Sequence, residues 1–150
     1  MTLRTIRRLG AIAILAVGAV HLQEYYGGGY RVLPTIGTLF MLNAISSAVV
    51  AIGLFAPLER MLQPRRAELA SGLLAGAGVA IAAGSLIALF ISENGPLFGF
   101  SETGYGTAVV LAIVAEALAV VLLTPVLAVS LRRAASGRSA SAMKPAMTSR

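Results

Sequence analysis

The stretch "YGTAVVLAIVAEALAVVLLTPVLAV", Tyr105 to Val129, decides how this chain is read: it carries a single charge, Glu116, in an otherwise apolar run. Hydrocarbon about 30 Å thick takes about 20 mostly apolar residues per helix, so this run is long enough to cross a bilayer. Pro125 is expected to kink the helix near its end. Three more runs of the same kind precede it, Ile6 to Tyr25, Leu33 to Phe55 and Leu69 to Ile91. Pro34 opens the second, where a first helical turn loses nothing by its missing N–H. Arg7 and Arg8 are expected to snorkel at the start of the first.

Composition supports lipid as the solvent. The chain has 150 residues, 57% hydrophobic and 12% charged, about half the charge that a soluble domain carries. The expected fold is therefore all-α, a bundle of four transmembrane helices within residues 1–131, followed by a basic, small-residue tail over 132–150 expected to be disordered. The absence of Cys excludes disulfides, thiolate metal sites and thiol nucleophiles.

The basic residues orient the bundle. Arg4, Arg7 and Arg8 precede the first run, Arg60, Arg65 and Arg66 lie between the second and third, and Arg132, Arg133, Arg138, Lys144 and Arg150 follow the fourth. Only Arg31 falls on the other side, so the positive-inside rule places both termini in the cytoplasm of a plasma membrane. Tyr25, Tyr26, Tyr30 and Tyr105 all fall on the opposite side, with Phe90, Phe98 and Phe100 nearby, as an interfacial aromatic belt would. A basic start before an apolar run is also the form of a signal peptide, but no small-x-small cleavage pattern follows this one.

Lipid tails do not drive helices together, so small residues that admit close backbone approach must do so. Gly72, Gly76, Ala80, Gly84 and Ala88 recur every four residues in the third run. This stripe is expected to pack inside the bundle, with a homodimer interface as the other use of such a pattern.

Glu116 lies near the bilayer midplane, where an acidic residue costs about 2.5–3.5 kcal/mol to insert. It is expected to face a neighbouring helix, protonated, and to bond Asn43 at similar depth on the second run or a serine (Ser46, Ser47) one turn deeper. His21, Asn43, Ser85 and Glu116 all fall in the outer half or at the midplane, which suggests an outward-opening polar pocket rather than a pore. At its mouth, His21, Glu24, Glu93 and Glu102 are of metal-ligating type but lack ligand-pair spacing. A bond from His21 to Glu24 or to a neighbouring helix is the preferred reading, and no metal or other cofactor is expected.

No phosphate-binding loop, no HExxH and no pair of histidines to hold a haem is present. The glycines of "YYGGGYR" read as a turn between spans. Basic residues at the membrane face argue for anionic lipid rather than nucleic acid as their partner.

The run "HLQEYYGGGYRVLPTIGTLFMLNAISS", His21 to Ser47, with "GPLFGF", Gly95 to Phe100, resembles a group of small four-span membrane proteins of GC-rich Gram-positive bacteria. The chain is also similar in architecture to DoxX-like four-helix membrane proteins. The resemblance implies four helices and carries over no site. Two functions follow from the residues. The first is a non-enzymatic accessory subunit that contacts lipid or another membrane protein. The second is a small proton-coupled carrier or ligand sensor built on Glu116.

Overall fold

The computed structural model describes residues 2–101, 104 and 106–143, the backbone alone at 135 and 137–143. Helix α1 spans Leu3–Tyr26, α2 Pro34–Phe55, the short α3 Leu58–Met61, α4 Pro64–Asn94 and α5 Thr107–Met143, with a 3-10 turn at Tyr30–Val32. Among the described residues there is no strand, only one bridge between Leu97 and Phe100. Four of the helices are long and apolar enough to cross a membrane, as the sequence predicts. Their outer faces carry Ile12, Val49, Ile52, Leu73 and Val121, exposed apolar side chains that lipid tails would cover.

Local chemistry sets the ends of these helices. The Thr2 hydroxyl accepts a bond from the Thr5 N–H, 3.3 Å away, and so caps α1. Pro34 and Pro64 occupy first-turn positions of α2 and α4. Gly29, with φ +80°, turns the chain between α1 and α2 in a backbone conformation that L side chains rarely adopt. α4 exceeds the expected run by about a turn at each end. α5 passes through Pro125 as one helix and continues beyond residue 131. Residues 132–143, expected to lie in a disordered tail, are helical: Arg132, Arg133, Ala134 and Ala135 are strong helix formers, and Arg133 Nη1 meets Glu68 Oε1 on α4 at 2.9 Å. Residues 144–150 of the expected tail lie outside the described residues.

Around the bundle the order is α2, α1, α5, α4, closed by contact between α4 and α2, so α2 and α5 stand diagonally opposite, with no close backbone approach among the described residues. α1 is the most buried of the four spans, with Ala11, Ile14 and Val17 inaccessible. It is a structural member of the core.

Close approach depends on particular small residues. A methyl group on Gly10 would strike Leu123, and one on Gly78 would strike the other branch of the same side chain, with Val50 and Ile14 next to it. Leu123 is thus a knob from α5 seated between α1 and α4, fully buried. Gly18 admits Ser47 and Ala44 of α2, and Gly72 faces Ser130 of α5.

The small-residue stripe only partly serves packing. Gly72 and Gly76 face α5, but Ala80 and Gly84 are exposed, and nothing lies within 4 Å of a Cβ built on Gly84. A four-residue repeat advances 400° around a helix of 3.6 residues per turn, so the stripe drifts about 40° per step. The buried line is instead Ser71, Ala75, Gly78 and Ala82.

Arg7 differs from its expected snorkelling position. It is 6% exposed, with Nη1 2.9 Å from Glu59 Oε1 and Nη2 3.5 Å from the Ala56 carbonyl. Arg8 is exposed. The Glu59 carboxyl is held below the ordinary carboxylate range, first by a bond from its own backbone N–H. Partial burial opposes that bond, and the charges of Arg7 and then Arg4 reinforce it.

Two predictions follow from this packing. Gly78→Ala should destabilise the detergent-solubilised protein by about 1–3 kcal/mol, because Leu123 cannot swing aside with its other branch held at Gly10. Gly84→Ala, six residues along the same helix, should be neutral or stabilising by up to about 1 kcal/mol. A depressed folded-state pKa contributes stability at neutral pH that is lost as pH falls through it. Glu59→Gln should therefore lower the melting temperature at pH 7 by about 2–4 °C. The gap to wild type should close in melting scans as pH drops below the carboxyl's ordinary 4.5.

Candidate functional site

Where α4 passes Ala82 its small side chains no longer meet a neighbour closely, and the four helices leave a cavity of about 260 Å³ at the end that carries the α1–α2 and α4–α5 connections. Each helix contributes to its polar floor from a similar depth. Asn43, Ser85 and Glu116 lie nine residues in from Pro34, Asn94 and Thr107, the loop-end limits of their helices, which at 1.5 Å per residue is about 14 Å. His21 reaches the same level from α1.

The floor is a linked trio. His21 Nδ1 lies 2.9 Å from the Val17 carbonyl, so that nitrogen carries a proton and donates it to α1's own backbone. Nε2 then faces inward, 3.0 Å from Ser85 Oγ and 3.7 Å from Glu116 Oε1. Glu116 is 1% exposed. The Ser85 hydroxyl is within reach of the carboxyl as well as the imidazole, but neither Glu116 oxygen has a hydrogen bond of good geometry. A buried carboxyl with both oxygens unbonded is costly to maintain, and such groups in native proteins have a reason.

The trio supports two proton placements. With the imidazole neutral, Ser85 donates to Nε2 and Glu116 holds the second proton. With the imidazole charged, Nε2–H donates to Ser85 Oγ and the serine hydroxyl turns to the carboxylate. Both leave the floor electrically neutral.

Aromatic side chains close the mouth. Tyr30, in the turn after Gly29, stacks on Phe40 of α2 with ring centroids 4.5 Å apart and planes 11° apart. Phe100 meets Tyr30 edge-on at 5.5 Å. Phe40 in turn lies 4.9 Å from the His21 ring. Leu97 and Phe100 exchange two backbone hydrogen bonds around Phe98 and Gly99, both at positive φ. This turn leaves Phe98 68% exposed at its tip, where the sequence expects an interfacial aromatic belt.

Most sequence-predicted site residues are brought together, in a different pairing. His21, Asn43, Ser85 and Glu116 line one cavity. The bond from Glu116 to Asn43 or to Ser46 or Ser47 is not formed, because α2 and α5 are diagonal and equal depth does not make them neighbours. Asn43 Oδ1 accepts from Ser47 Oγ at 3.2 Å instead, and Ser47 lies fully buried below the cavity. Of the two partners expected for His21, Glu24 or a neighbouring helix, the structure shows the second, Ser85 of α4. Among the described residues no three His or Glu gather as metal ligands, and Glu102 and Tyr105 lie outside them. The aromatic cover of Tyr30, Phe40 and Phe100 was missed. Its only sequence signal is the spacing of rings around a glycine turn.

No family model, curated protein or solved structure matches the chain, so the site is read from its own residues.

Proposed function

We propose that this integral membrane protein binds a small, mostly apolar molecule in its loop-end cavity. Glu116, His21 and Ser85 handle the ligand's polar group or a proton, which is the carrier or sensor reading of the sequence. The observation that carries it is Glu116: a desolvated carboxyl, unbonded at both oxygens, bordering an apolar-walled cavity. An accessory subunit using Glu116 only to fix helix register would seal it with a bond, as a register-setting polar pair does. The cavity is at the small end of ligand sites. Among the described residues, eight of nine basic side chains lie toward the opposite end of the bundle, all but Arg31, which supports cytoplasmic termini and a pocket opening outward.

Carbodiimide labelling in lipid nanodiscs, read by mass spectrometry across pH, tests this reading. Glu116 should be modified, the modification should fall as pH rises, and Glu116→Gln should remove that adduct alone. Modification of Glu24 and Glu93 without any at Glu116 would return the protein to the accessory-subunit reading.

A further inference from the structure

We propose that the occupant of the cavity is a small organic cation, a protonated amine on an apolar body, bound at Glu116 in exchange for one proton. This rests on the ligand-binding reading above and names the ligand's chemical class.

The charges facing the cavity are of one sign. From α1 come His21 and Glu24, from α5 Glu116, and α2 and α4 contribute only neutral polar groups, Asn43, Ser85 and Ser92. Among the described residues no Arg or Lys lines it. An anion would meet two carboxylates and no fixed cation. A neutral apolar molecule would leave at least one Glu116 oxygen without a partner and desolvated, a costly arrangement in a low-dielectric site. An ammonium group supplies what the floor lacks, a positive charge and three donors. In number these match the two carboxyl oxygens and Ser85 Oγ.

Exchange follows from charge balance. A buried carboxylate without a counter-charge is not sustained, so the empty floor holds one proton in addition to that on Nδ1, either on Glu116 or on His21 Nε2. When R–NH3+ arrives, Glu116 becomes its counter-ion, and that proton leaves to solvent. The net charge of the site is unchanged and one proton is released per cation bound. Above the floor the walls are Val20, Ile36, Leu39, Leu89 and Val109, with Phe40 and Phe100 toward the mouth, which suit a compact hydrocarbon body.

The test is a charge series at nearly constant shape: 2-phenylethylammonium, 2-phenylethanol and phenylacetate. Binding is measured by calorimetry to the full-length protein in phosphatidylcholine nanodiscs, with empty discs subtracted. The ammonium should bind at least about tenfold more tightly than the alcohol, and phenylacetate more weakly than both. Titrations in two buffers of different ionisation enthalpy should show about one proton released per ammonium and none with the alcohol. Glu116→Gln should reduce ammonium binding to the level of the alcohol. Gly84→Leu, which grows into the open space beside Ser85, should weaken both ligands together. If the alcohol binds as tightly as the ammonium, with no proton released and no effect of Glu116→Gln, the cation assignment fails and the pocket reading survives. Tighter binding of phenylacetate overturns the assignment in the same way. If none of the three binds at millimolar concentration, both fail. Should Glu116→Gln not fold, the wild-type charge series and proton count still decide.

Discussion

The bundle depends on Leu123 lying between Gly10 and Gly78. Lipid gives no hydrophobic drive for one helix to leave it for another, so the four spans hold together through dispersion contacts that need backbone proximity. Leu123 reaches from α5 into a slot that two glycines leave open, and Ile14 and Val50 close around it. The neighbouring close approaches, Gly18 on Ser47 and Gly72 on Ser130, extend the grip across the middle and the terminal half. The cavity begins where this pattern stops. At Gly84 the small residue persists but no knob faces it, so the absence of a side chain becomes volume instead of contact.

The two ends treat buried charge differently. Arg7, as deeply placed as a core residue, receives a carboxylate and a carbonyl. Arg133 receives Glu68. Both are charge-to-charge contacts at 2.9 Å, and Glu59 is half exposed and keeps part of its hydration, although Arg7 Nε is left buried without a hydrogen bond. Glu116 has only an imidazole at 3.7 Å, beyond hydrogen-bond distance, and a serine whose single proton is contested. One side of the molecule meets its charges with ionic partners at contact distance, and the other leaves a carboxyl without one beside a cavity.

The fold was legible in the sequence because the bilayer imposes a length rule that four apolar runs satisfy and that little else in 150 residues could. Depth was legible in part for the same reason: counting residues from the span ends placed His21, Asn43, Ser85 and Glu116 in the outer half or at the midplane. Angular position was not. Whether Glu116 meets α2 or α1 depends on the cyclic order of the helices, which hydropathy does not encode, and the Asn43 pairing failed on that point. The small-residue stripe misled for a geometric reason, since a period of four is not the period of a helix face over five repeats. Arg7 misled because its partner, Glu59, sits in the short α3, a segment whose apolar count says nothing of its position.

The cavity is blind. Below Glu116, Val17, Ala82, Ala119 and Leu123 are inaccessible and leave no channel toward the terminal end. Passage of a ligand through the bundle would therefore require Leu123, two helical turns beneath Glu116, to leave its slot. Packed cores switch between discrete arrangements rather than deform continuously, so a carrier of this architecture would need a second seating for that leucine against α1 and α4. A sensor would need no such state: occupancy at Glu116 could act on the Tyr30 and Phe100 cover at the mouth while the wedge stays seated. The physical difference between the two roles thus lies in one side chain that touches no ligand in either.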